Sequence, residues 1–155
     1  VKILNGKKNK FIKNKIDVLI EINRYFDYLL KENLASIEKS TSKDMLFEVL
    51  MARLDILNSY RKSVKNLIKY FLSYPHQFIK ILPSFIQSAI LVATLSNINI
   101  NGLKGAPKLK VIFVLYIIII FTWHKDETES LEKTMTTLDN YLNNIEKFIK
   151  LFDEK

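Results

Sequence analysis

Few residues in this chain have a type and spacing that could do chemistry. The two histidines, His76 and His124, lie far apart, each beside a predicted turn. No His-x3-His or Glu-x-x-His pair is present to hold a transition metal. Cysteine is absent, which excludes disulfides, thiolate metal ligands and a cysteine nucleophile. There is no phosphate-cradling glycine loop, dinucleotide fingerprint or nucleophile elbow. Carboxylates cluster at Asp44 with Glu48 and at Asp126, Glu127 and Glu129, but both groups fall at predicted helix N-termini, where they offset the macrodipole. These residues predict no enzyme, no cofactor and no metal.

Arg53 is the polar residue in the most awkward place. It interrupts the apolar side formed by Leu46, Leu50, Leu54 and Leu57, on a helix that should be buried. A guanidinium there snorkels to the edge, pairs with a carboxylate such as Glu48 or Asp55, or meets a ligand head group. Tyr116 and Trp123 are large amphipathic side chains on a core helix, suited to packing or to a pocket wall.

An all-α fold of six to seven helices must position these groups. The 155 residues suffice for one domain with a sizeable core, and only three glycines and three prolines leave little room for the turns of an all-β fold. The first helix is expected from about Phe11 to Asn33, and Ser36–Ser42 reads as a loop. Thr41 stands three residues before Asp44, a capping signature for a helix over Asp44–Leu57. A further helix, Tyr60–Ser73, turns Val64, Leu67, Ile68, Phe71 and Leu72 inward. Pro75 starts the next, which extends to about Ser96 and must kink or restart at Pro83. The segment Asn97–Gly105 is a turn, with both of its glycines free to take positive φ. Pro107 suits the first turn of a helix ending near Trp123, and Thr128 is the expected N-cap of the last one.

Three of these helices, Asp44–Leu57, Pro75–Ser96 and Pro107–Trp123, are apolar well beyond one face. They are expected to enclose a pocket for an apolar small molecule or lipid. Its walls would be Phe47, Met51, Phe85, Leu91, Tyr116 and Trp123, with Arg53 as a polar contact at one end. The last helix carries a heptad seam: Leu131, Met135, Leu138, Leu142, Ile145, Ile149 and Phe152 follow at steps of 4, 3, 4, 3, 4 and 3. Such a stripe packs along another helix, within one chain or across a homodimer.

The net charge of +8 is unevenly placed, because Lys2, Lys7, Lys8, Lys10, Lys13 and Lys15 all precede the first acidic residue, Asp17. Residues 1–10 read as a basic N-terminal segment and 11–155 as the helical domain. A basic run of this kind can meet phosphates on nucleic acid or an anionic membrane, or is simply a solvated end, and no aromatic platform is interleaved with it beyond Phe11. The apolar run Val111–Ile120 falls short of the roughly 20 residues a span needs. No bilayer span is expected, and with no signal-like segment the chain reads as cytoplasmic.

The stretch Asp44-Met45-Leu46-Phe47-Glu48-Val49-Leu50-Met51-Ala52-Arg53-Leu54-Asp55-Ile56-Leu57, then Tyr60-Arg61, resembles part of certain TetR-type regulator C-terminal domains. So does Gly102-Leu103-Lys104-Gly105 before an apolar helix, then Trp123-His124-Lys125-Asp126-Glu127-Thr128 and Thr134-Met135-Thr136-Thr137-Leu138-Asp139. The second set is similar to the subset resembling coenzyme Q biosynthesis accessory lipid-binding proteins. The resemblance covers roughly Phe11 to Phe152. It implies a ligand-sensing and dimerisation domain that reaches DNA only through a head domain not present in this chain. A lipid-presenting accessory protein or a ligand-free helical interaction module are the alternatives. Ala106-Pro107-Lys108-Leu109-Lys110 departs from the aromatic-rich segment that the coenzyme Q proteins carry before the Trp helix.

Overall fold

Residues 14–36 and 40–153 are described by the computed structural model, with side chains of the last helix described as far as Ile145. They form six helices. The expected helix start at Phe11 and the basic segment 1–10 lie outside the described residues. The first helix, α1 (Lys15–Leu34), opens with a capping box. The Asn14 side chain accepts from the amides of Ile16 and Asp17 at 2.8 and 3.1 Å, and the Asp17 carboxylate accepts from the Asn14 amide. Orphan donors at the helix end are thereby satisfied reciprocally. Helix α2 (Ser42–Ser59) starts under Thr41, whose hydroxyl accepts from the Asp44 amide.

Two single residues, Tyr60 and Tyr74, separate α2 from α3 (Arg61–Ser73) and α3 from α4 (Pro75–Leu95). Pro75 takes the first position of α4, where a missing N–H is no loss. Pro83 does not restart α4, which continues through it. The proline lies on the exposed side beside Ile79, itself 66% exposed, so water can meet the carbonyl left without a donor.

The turn before α5 (Gly105–Lys125) uses its glycines differently from each other. Gly102 takes φ +71, as expected of a left-handed position. Gly105 does not: it is the first helical residue, and a Cβ there would lie 1.8 Å from the Ile100 carbonyl oxygen. Close backbone approach, not chirality, demands the second glycine. The last helix, α6 (Glu132–Asp153), begins later than the expected cap at Thr128, after Leu131 turns the chain at φ 56. Thr128 nevertheless contributes, since its hydroxyl accepts from the Glu132 amide at 3.0 Å.

Helix α2 touches every other helix, which is why its sequence is apolar on three stripes. Val49, Leu46, Leu50 and Leu54 are all at most 1% exposed. Around it, α1 packs on α4, α4 on α5, and α5 on α6. The heptad seam of α6 faces α5 and α2 of its own chain. Leu131, Leu138 and Leu142 are buried there, and Ile145 packs against the same core. Each such leucine contributes about 1.5–3 kcal/mol by leaving water. The seam residues expected at a dimer interface are thus occupied from within at these positions, because α6 folds back onto two helices that offer it a continuous apolar surface. Met135 remains 39% exposed, and the side chains of Ile149 and Phe152 lie outside the described residues.

Helices α4 and α5, each of 21 residues, are long and apolar enough by length and composition to cross a membrane. The sequence expectation counted only an uninterrupted apolar run, and the folded helices extend beyond it. Within the fold both lie against several neighbours, while Ile79, Ile86, Ile90 and Val114 face outward.

Candidate functional site

Helical periodicity brings a set of polar groups into the middle of the bundle. Asn23 and Asp27 lie one turn apart on α1, Ser84 and Ser88 one turn apart on α4, and Arg53 comes from α2. Arg53, only 2% exposed, donates to Asp27 at 2.9 Å and to the Asn23 side-chain oxygen at 2.7 Å. The Asn23 amide nitrogen donates to Ser84 Oγ at 2.9 Å and Ser88 Oγ at 2.8 Å, and Ser88 donates to the second Asp27 oxygen at 2.8 Å. Burial pushes the Asp27 carboxyl above its ordinary pKa, against the pull of Arg53 and Ser88. The guanidinium also lies 5.6 Å from the centroid of Phe26 and 5.9 Å from that of Tyr116. Arg53 Nε and the Tyr116 hydroxyl are buried without a hydrogen-bond partner. Burial raises the Tyr116 phenol above its ordinary pKa as well.

Next to this network lies a cavity of about 260 Å³. Its lining is almost wholly apolar. Leu19, Ile22 and Phe26 come from α1; Val64, Leu67, Ile68, Phe71 and Leu72 from α3; Pro75, Phe78, Ile81 and Phe85 from α4; and Tyr116, Ile117, Ile120 and Phe121 from α5. Asn23, Arg53 and Leu57 complete the wall. A ladder of rings runs along it, with centroids 5.8 Å apart from Phe71 to Phe78, 5.7 Å to Phe85 and 6.3 Å to Tyr116. These are ordinary aromatic contact distances.

Of the expected pocket residues, Arg53, Phe85 and Tyr116 line this cavity, while Phe47, Met51, Leu91 and Trp123 do not. The reason is angular. At 100° per residue, Phe47 and Met51 stand roughly 120° and 160° around α2 from Arg53, and Leu91 about 120° around α4 from Phe85. Trp123 shares a face with Tyr116 but lies two turns further on, fully buried. There the Arg61 guanidinium stacks 5.0 Å from the Trp123 ring and donates to the Asp126 carbonyl. The Asp126 side chain, in turn, accepts from the backbone and hydroxyl of both Thr128 and Thr134. Burial raises its pKa, but these four hydrogen bonds outweigh that and hold the carboxyl well below the ordinary range.

The remaining candidates fall elsewhere. His76 is exposed beside Gln77, and His124 sits near the Arg61–Trp123 joint, where burial and then the charges of Lys65, Lys69 and Arg61 lower its pKa. Among the described residues no group of three His, Cys, Asp or Glu could hold a metal ion. Sequence reasoning overlooked the walls supplied by α1 and α3. The available signal was the inward stripe from Val64 to Leu72, too wide for a helix with few neighbours. Compared with protein-family models and with curated proteins, the chain matches none.

Proposed function

We propose that this chain is a ligand-sensing domain of the TetR type, which holds an apolar small molecule or the tail of a lipid between α1, α3, α4 and α5. The cavity of about 260 Å³ carries the reading. The cavity is partly open to solvent, with Leu72 60% exposed at its edge, so its apolar lining meets water unless an apolar guest covers it. An apolar void of about 150 Å³ already accepts a benzene-sized guest, whereas pockets for drug-sized ligands begin near 300 Å³. The guest is therefore a single ring or one hydrocarbon chain. The regulatory part of the reading rests on the motif resemblance alone, as does a homodimer.

Decan-1-ol tests the binding reading directly. At 100 times its Kd a ligand that binds only the folded state adds about 2.7 kcal/mol of stability, which raises the thermal midpoint by several degrees. Ile117→Trp, which fills the cavity from α5, should remove that shift while leaving the helical circular dichroism intact. An unchanged midpoint for the original chain under saturating decan-1-ol sinks the reading and favours the helical interaction module.

A further inference from the structure

Most of the hydrogen-bonding capacity at the inner end of the cavity is committed to the protein itself. Both terminal nitrogens of Arg53 are engaged by Asp27 and Asn23, and Asn23 is held by Ser84 and Ser88. The orphaned Arg53 Nε and Tyr116 hydroxyl lie beneath the apolar lining, out of reach of a water-sized atom. The guanidinium charge is already met by the Asp27 carboxylate. A charged or strongly polar head group placed there would lose its water and find no accessible partner, which disfavours it.

The other end differs in kind. A surface groove shares Leu19 and Leu67 with the cavity and continues outward along Asn14, Lys15, Tyr70, Gln77 and Lys80. Its lining holds two lysines and no carboxylate. Lys15 stands at the start of α1 and Lys80 on α4, both exposed, and neither makes an ion pair among the described residues. The two lysines line a groove that adjoins the apolar cavity at Leu19 and Leu67, so a chain lying in both leaves its head beside them.

We propose that the cavity and groove together hold a single-chain amphiphile, its tail inward along the Phe71–Phe78–Phe85 ladder and an anionic head, carboxylate or phosphate, against Lys15 and Lys80. This rests on the binding reading above and adds orientation and head-group charge to it. Exposed ion pairs contribute modestly, so two lysines together should favour an anionic head by about two- to thirtyfold.

The test holds the tail constant and changes the head. Decanoate, decyl phosphate, decan-1-ol and decyltrimethylammonium are titrated calorimetrically into the full chain at neutral pH and low salt, and then into Lys15→Glu/Lys80→Glu. The expected order in the original chain is anion over alcohol over cation. In the double variant the anion advantage should vanish or reverse while decan-1-ol affinity is unchanged. The relative strength of decanoate and decyl phosphate tells a fatty acid from a phosphate-headed lipid. If decan-1-ol binds as tightly as both anions, or if the double variant keeps the preference, the head-out orientation is overturned and the cavity reading stands. If none of the four binds, the cavity reading falls with it.

Discussion

The Arg53–Asp27 pair offers the sharpest test of how the bundle is held together. Removing Asp27 alone, as Asp27→Leu, strands a guanidinium that is 2% exposed with Asn23 as its one remaining acceptor. Breaking a buried ion pair costs about 3–5 kcal/mol, and the 16% exposure of Asp27 places this case near about 3. Arg53→Met should cost less, about 2 kcal/mol. The Asp27 carboxyl keeps its Ser88 bond, and burial already favours its taking up a proton. The double variant carries two apolar side chains and no charge. Its residual cost is the Asn23 oxygen left without a donor, about 1–2 kcal/mol. The sum of the singles therefore exceeds the double by about 3 kcal/mol. Urea denaturation followed by helical circular dichroism at neutral pH measures all four corners of the cycle. Total stabilities of about 5–15 kcal/mol leave every variant foldable. Additive losses, with the double costing as much as both singles together, would refute the assignment of Arg53 and Asp27 as one unit.

Three further outcomes follow from particular contacts. Gly105→Ala must displace the Ile100 carbonyl and should lower the thermal midpoint more than Gly102→Ala, whose Cβ meets open space and whose φ costs about 1–2 kcal/mol; equal shifts would contradict the close approach. Leu142→Glu should abolish cooperative unfolding of the chain itself, because Leu142 is 2% exposed against its own core; a folded, fully helical variant of lower sedimenting mass would instead place the seam between chains. The folded-state pKa of Asp126 is depressed, so its contribution is complete above about pH 4 and is lost as the pH falls below it. Asp126→Asn should therefore be less stable at neutral pH by about 1–3 kcal/mol and show a shallower acid loss, and parallel pH profiles for the two proteins would exclude this.

Helix number and order were readable because apolar spacing, Thr41 and Pro75 mark boundaries locally. What failed depended on partners distant in sequence. Of the alternatives open to Arg53 in the sequence (snorkelling, a carboxylate such as Glu48 or Asp55, or a ligand head group) the carboxylate is found, but it is Asp27, with Asn23 beside it, on α1, for which no local spacing rule exists. The last helix starts after Leu131 because Asp126, deep in the joint with Arg61 and Trp123, holds the Thr134 amide from eight residues away. Surplus apolar surface points to a pocket among the three most apolar helices, whereas the cavity observed is walled mainly by α1, α3, α4 and α5. The amphipathic α3 supplies five of the lining residues, since a helix at the edge of a bundle can face a void with one stripe.

Helix α3 has a dynamic consequence. Its thirteen residues hang between Tyr60 and Tyr74, neither providing a side-chain cap, and it packs mainly on α2 and α4. Local opening free energies within one protein run from near zero to the global value, and a short, uncapped, edge helix belongs at the lower end. Helix α2, in contact with every other helix, belongs at the upper end. The C-terminal part of this wall, beyond the Arg61 and Lys65 contacts that tie the start of the helix to Trp123, Asp126 and Glu127, is expected to open more readily than the rest of the bundle. Under the proposed binding, a guest would leave as fast as this helix opens, and substitutions on its inner face would change that exchange rate before they change the stability of the protein.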